Sequence, residues 1–229
     1  MTKYSTVRSN RKTLAIHITR DAAVEVRAPL RMPQAAIDSF VKSKEKWIEA
    51  HLAKQQQRNE EAANFKLCYG DTALLFGVRY PIAARRGNMG GFDKTGFFLP
   101  PGLTPIQIRD GLIQIYRAQA RNLLVDMVNT YAGRMKVEPS GIRVTGAKTS
   151  WGSCSGANNL SFTWRLMMAP IEVVEYVVVH ELAHIREHNH SQRFWAAVEG
   201  VLPDYRSRKD ALKILQRELA AQDWDGSST

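Results

Sequence analysis

The chain has 229 residues, 44% of them hydrophobic and 24% charged, a make-up that excludes a disordered or low-complexity chain and leaves room for one large domain or two small ones. No apolar run approaches the roughly 18 to 20 residues that cross a bilayer, and the start MTKYSTVRSNRK lacks the apolar core of a signal peptide, so a cytoplasmic protein with no membrane partner is expected. The net charge of +10 favours encounter with nucleic acid or another acidic partner. The cations are scattered, through Arg8, Arg11, Lys12, Arg27, Arg31, Lys42, Lys44 and Lys46 among others, and no aromatic-plus-basic stacking motif accompanies them; a solvated basic surface is the plainer reading.

In chain order, KTLAIHIT (12–19) and AVEVRA (23–28) alternate apolar and polar residues around a short turn at 20–22, which predicts a hairpin. After Pro29 and Pro33 the apolar spacing becomes that of a helix, through Ile37, Phe40, Val41, Ile48 and Leu52, and the polar stretch QQQRNEEAAN is expected to end it. Residues 66–99 return to short strand-like pieces punctuated by Gly87, Gly90, Gly91 and Gly96. Thr104-Pro105 is a helix start, and Leu112, Tyr116, Ala120, Leu123, Leu124, Met127 and Tyr131 mark the buried face of a long helix running to Gly133. Strands are then predicted around Ile142, Val144 and TSWGSCSGANNLSFTWRLMM, with a turn at 156–159, before a further helix starts at Pro170. The alternation implies an α+β architecture. Its expected division is an accessory module over residues 1–100 and a second domain over 104–225.

Chemistry concentrates in the last of these helices. Val177-Val178-Val179-His180-Glu181-Leu182-Ala183-His184-Ile185 contains the pattern His-Glu-x-x-His, and residues four apart on a helix lie one above the other, so both imidazoles can face one metal ion. Glu181 stands about 100 degrees round from His180, placed to act on a water at that ion rather than as a ligand. Two histidines and a glutamate amid valines and leucine are costly to bury unless something satisfies them, and a zinc ion does so.

Catalytic zinc takes three protein ligands, so a third is required. An unbroken helix would carry Glu187 and His188 about one turn past the pair, whereas a left-handed Asn189 could reverse the chain and return His190 to the site. Chain reach favours His190, with Glu187, His188, Glu199 and Asp204 left as alternatives. His17 and His51 are read as structural or surface residues. Cys68 and Cys154 form no Cys-x-x-Cys pair, which argues against a disulfide framework or a thiolate zinc cage. Ser153 or Cys154, in Trp-Gly-Ser-Cys-Ser, is rejected as a nucleophile because no histidine is left over to serve as its base.

On KTSWGSCS (148–155), LSFTWRLMMAP (160–170), EYVVVHELAHIREHNHSQRFW (175–195) and LPDY (202–205), the chain resembles the YgjP-like metallopeptidases, relatives of the SprT-type zincins. Weaker likeness extends to VRSNRKTLAIHI and LLFGVRYP. The resemblance implies a zincin-like core with an active-site helix beside a small, mostly antiparallel sheet, and zinc on His180, His184 and His190. It also implies a strand beside that helix, in 148–155 or 160–167, that pairs with substrate backbone. The expected function is zinc-dependent hydrolysis of a peptide or protein substrate with Glu181 as general base. Two rivals stand beside it: a metal-dependent hydrolase of a small molecule or nucleotide, against which no phosphate-binding glycine loop is present, and a nucleic-acid-associated module with a structural zinc, which would normally be closed by four ligands.

Overall fold

A computed structural model describes residues 2–224 and 226, and the chain groups into two compact units, residues 1–65 with 218–229, and residues 66–217. The architecture is α+β throughout.

In the first unit the predicted hairpin forms as β2 (Ala15–Ile18) and β3 (Val24–Pro29), antiparallel to each other, with Ala22 left-handed in the turn. A further strand, β1 (Ser5–Ser9), pairs in parallel with β3, giving the order β1-β3-β2. It is short and polar, and its pairing partner lies 20 residues away in register (Ser5 opposite Glu25), so no local pattern announces it. Val24, Val26 and Ala28 bury one face of β3 against Ile37, Val41 and Ile48 of two helices, α1 (Gln34–Ser43) and α2 (Glu45–Asn64). One continuous helix was expected here, ending at the glutamine-rich stretch. The chain instead breaks at Lys44, and that stretch forms the outer turns of α2, where Gln, Glu and Ala are good helix formers and Gln55–Asn59 and Gln57–Glu61 bond side chain to side chain at four-residue spacing.

The second unit starts with β4 (Thr72–Leu75), β5 (Val78–Ala84), β6 (Gly91–Asp93) and β7 (Gly96–Leu99), in the order β4-β5-β7-β6. Residues 66–99 therefore share a unit with the histidine motif, whereas the expected division lay near residue 100. The β4–β5 turn has positive φ at both Phe76 and Gly77, the geometry of a two-residue hairpin turn. Its amides donate to the carbonyls of Met167 (2.8 Å) and Met168 (3.2 Å), and a Cβ at Gly77 would meet Pro170 Cγ at 2.9 Å. The small sheet thus fixes the entrance to the motif helix.

The long helix α3 (Pro105–Met135) starts at Thr104, which with Gln107 forms a complete capping box. It passes the expected stop at Gly133 and ends where Lys136 adopts the left-handed conformation. Ile108, Leu112, Tyr116, Ala120, Leu124 and Val128 are fully buried along it. Next come β8 (Gly141–Thr145), β9 (Gly152–Cys154) and β10 (Asn159–Thr163), a mixed sheet in which β10 is central, parallel to β8 and antiparallel to β9. A 3-10 helix (Trp164–Met168) leads into α4 (Ile171–Ala183), followed by α5 (Gln192–Val201) and α6 (Tyr205–Leu219). Among the described residues no helix is long and apolar enough to cross a membrane.

Candidate metal centre

Helix α4 forms despite its β-branched run because that run is buried: Val173, Val174, Val177, Val178, Val179 and Leu182 are all at most 3% exposed. Tertiary packing outweighs the modest helix propensity of valine. His180 and His184 emerge at the helix's open end, their ring centroids 5.0 Å apart.

The reversal that returns the chain to the site begins earlier than expected. α4 stops at Ala183, with His184 as its cap, and a tight turn follows in which the amides of Arg186 and Glu187 both donate to Ala183. Asn189 does not supply the reversal: among the described residues it is not one of those with positive φ. Its side chain instead accepts from the Ser191 amide at 3.1 Å, and the Ser191 hydroxyl caps α5 by accepting from the Phe194 amide. Arg186 adds a tether to the Lys136 carbonyl at the end of α3, 2.7 Å away.

The consequence is that His190 comes back over the motif. Its Nε2 faces that of His180 at 3.1 Å, and ligand nitrogens of His180, His184 and His190 all lie within 4.8 Å of one another. Glu187, His188, Glu199 and Asp204 are outside this cluster. Glu199 pairs with Arg206 and Asp204 with Arg208. The Phe194 ring packs against all three imidazoles at 4.5–4.9 Å, forming an apolar floor. His51 stacks on Trp47 in the first unit, and His17 lies on β2.

The donor set fits a small divalent cation. Tetrahedral zinc with bonds of about 2.0–2.1 Å separates its ligand nitrogens by about 3.3 Å, close to the spacing of the His180 and His190 rings. Burial, reinforced by His184 and His190, pushes the His180 pKa down to about 3, so the ring stays neutral and keeps a lone pair for a metal. Its Nδ1 is buried without a hydrogen-bond partner. In His184 the backbone carbonyl of Glu187, 3.0 Å from Nδ1, fixes the proton there and leaves the Nε2 lone pair free for a metal.

Glu181 is 6% exposed and burial pushes its pKa up to about 7. Its carboxylate lies on Gly152 of β9: a Cβ at that position would stand 2.8 Å from Oε1 and 2.7 Å from Cγ. β9 is one edge of its sheet. The amide of Thr163 donates to Trp151 and that of Ser155 to Asn159, so the alternation of an antiparallel pair turns the backbone groups of Gly152 and Cys154 to the outer edge. Of the two segments expected to offer a free strand, only 148–155 does so, because β10 is paired on both sides. Cys154 shares this edge, and burial together with Glu181 pushes its thiol pKa up, the wrong direction for a nucleophile. Gly152, Phe194 and Arg165 were not singled out as site residues from the sequence. The buried Arg165 donates from Nη1 to the Gly146 and Ala147 carbonyls, each at 3.2 Å, and holds the loop that leads into β9.

Three converging imidazoles beside a buried carboxylate are a donor set and a proton acceptor of the kind metal-dependent hydrolases use. A family model described as YgjP-like, metallopeptidase domain, matches residues 12–214, and the chain belongs to that family. The protein is thus of a metallopeptidase class that implies a divalent metal. Among solved structures, the metallopeptidase zymogen of Pyrococcus abyssi abylysin is similar at 22% identity, with 43% of this chain and 97% of that one covered and a TM-score of 0.38. The metallopeptidase zymogen of Methanocaldococcus jannaschii jannalysin is similar at 23% identity, with 42% and 96% covered and a TM-score of 0.36. A search of curated proteins gives no match.

Proposed function

We propose that the protein is a zinc peptidase in which His180, His184 and His190 hold the ion and Glu181 is the general base. The observation that carries the reading is the meeting of three imidazole nitrogens within 4.8 Å, next in sequence and space to a buried carboxylate. Zinc, when bound, supplies Lewis acidity, lowering the pKa of a coordinated water from about 15.7 toward 7 and polarising the substrate carbonyl.

The residues of the chain do the rest. Glu181 accepts a proton during attack on the carbonyl and returns it to the departing amine, and burial, which raises its pKa above the ordinary carboxylate value, makes it a better proton acceptor than an exposed carboxylate. Gly152 gives that carboxylate room without moving β9 away. The Gly152 and Cys154 backbone groups pair with an extended substrate, which favours a peptide over a small molecule. The Phe194 ring gives the imidazoles an apolar wall on one side.

The test is Glu181→Gln beside the parent, both analysed for zinc and for hydrolysis of a quenched fluorescent peptide library. Retained zinc with turnover reduced about 10²- to 10⁴-fold is expected. Equal turnover in the two proteins would remove Glu181 from the mechanism, and no turnover by the zinc-loaded parent would sink the peptidase reading.

A further inference from the structure

A cleft of about 400 Å³ is lined by Trp195, Tyr205, Arg206, Lys209, Asp210 and Lys213. Trp195 joins it to the metal centre: its ring lies 5.6 Å from that of His190 and 5.9 Å from that of His180, centroid to centroid. The Tyr205 ring stacks on Trp195 at 5.3 Å with an interplanar angle of 18°, and the Lys209 ammonium sits 4.5 Å from the Trp195 ring centre. The Arg206 guanidinium lies 5.1 Å from the centre of the Tyr205 ring.

The lining carries three cations and one carboxylate. The carboxylate of Asp210 is engaged by Lys213 at 2.8 Å, and Arg206 faces Glu199 at 3.4 Å. Lys209 has no ion pair among the described residues, although its half-buried stem lies along the aromatic wall. Asp210, whose pKa is lowered first by Lys213 and then by the nearby Lys209, makes its direct ion pair with Lys213, so the Lys209 ammonium held over the tryptophan face is poised to bond a further carboxylate.

We propose that this cleft is a substrate subsite for a carboxylate, with Lys209 as its anchor and Trp195 and Tyr205 as the wall against which the neighbouring apolar atoms lie. The proposal rests on the peptidase reading and deepens it. Successive residues of an extended chain advance about 3.3–3.6 Å, so a pocket one ring beyond His190 suits a group one or two residues from the bond being cut. The carboxylate is either an acidic side chain or the free C-terminus of the peptide.

The experiment uses full-length, zinc-loaded protein. Peptides are matched in pairs, Glu against Gln at each position near the cleavage point and free acid against amide at the C-terminus. Binding is read by anisotropy on the Glu181→Gln protein, and kcat/KM on the parent. One pair is expected to differ about fivefold in favour of the carboxylate, and which pair does so tells side chain from terminus. The ratio should fall to parity in Lys209→Gln, survive in Lys209→Arg, and invert toward lysine-bearing peptides in Lys209→Glu, with zinc content unchanged. Parity of every pair in the parent, or a ratio untouched by Lys209→Gln, overturns the subsite while leaving cleavage intact. Displacement of all acidic peptides by a single-stranded oligonucleotide whose binding needs Lys209 also overturns it, in favour of nucleic acid. Carboxylate-selective binding with no cleavage of any peptide would keep the subsite and sink the peptidase reading instead.

Discussion

Gly152 on β9 and Glu181 on α4 are in van der Waals contact at a point where no side chain fits, since a Cβ would come within 2.8 Å of the carboxylate oxygen. The glycine is required by this close approach, not by its backbone angles, because its φ is not positive. Gly152→Ala should therefore push the Glu181 carboxylate aside or lift β9 from α4. Displacements of about 1 Å cost roughly 10²-fold in turnover, so kcat/KM should fall by about that factor while zinc content stays near one per chain. Overpacking should also lower stability by about 1–3 kcal/mol, read from thermal melts. Parental turnover in Gly152→Ala would show that Glu181 has freedom the contact does not suggest.

The burial of Glu181 predicts a pH signature in the metal-free protein. Its pKa is about 7 in the fold against an ordinary value of 4.5, so the folded state holds this proton more tightly than the unfolded state does. Below the lower value both states are protonated and there is no penalty. As pH rises from the lower value to about 7, the fold loses stability, and above that the loss is constant. Glu181→Gln has no charge to bury. Its stability gain over the parent should be larger at about pH 8 than at about pH 5, by about 2 kcal/mol. Zinc restores a positive charge beside the carboxylate and should shrink the difference. Parallel melting curves at the two pH values would contradict the burial of the charge.

Metal retention should separate neighbouring histidines. His190 faces His180 at 3.1 Å, whereas His188 lies outside the cluster and is exposed. His190→Ala should lose most zinc on dialysis and His188→Ala should keep it, as elemental analysis will show. Equal losses would mean that the turn between α4 and α5 presents a different ring.

The candidate site was legible to the extent that it is local. His180, Glu181 and His184 stand out from helical spacing alone, and chain reach past the helix end favours His190 over Glu187, His188, Glu199 and Asp204 without deciding among them. The location of the reversal was not legible, because it depends on amides of Arg186 and Glu187 returning to Ala183 and on an arginine tether to α3, both set by tertiary packing. Gly152 lies 29 positions before Glu181, and a glycine in a strand announces a close approach without naming what approaches. The same holds for the fold. The β2–β3 hairpin and the Thr104 cap carry their signals within a few residues, whereas β1 and the break at Lys44 are decided by partners elsewhere.

Residues 66–99 supply the last prediction, because they decide which fragment can carry the metal centre. The β4–β5 turn donates two backbone hydrogen bonds to Met167 and Met168 and abuts Pro170, the residue before α4. Tyr116 of α3 donates its hydroxyl proton to the Leu74 carbonyl at 2.6 Å, and the Phe97 ring packs edge-on against Tyr116. Leu75, Ile82, Phe97 and Leu99 are each at most 3% exposed, and burying such a side chain contributes about 1.5–3 kcal/mol. Removing all four forfeits about 6–12 kcal/mol, comparable to a whole typical domain stability of about 5–15 kcal/mol, and leaves their partners facing water. A fragment of residues 66–217 should fold and take up one zinc, whereas one of residues 104–225 should show no cooperative melt and no stoichiometric uptake. Residues 1–65 would then be an accessory module, dispensable for metal binding. A 104–225 fragment that melts like 66–217 would mean that β4–β7 does not brace α4, and that the motif helix is held by α3 and the β8–β10 sheet alone.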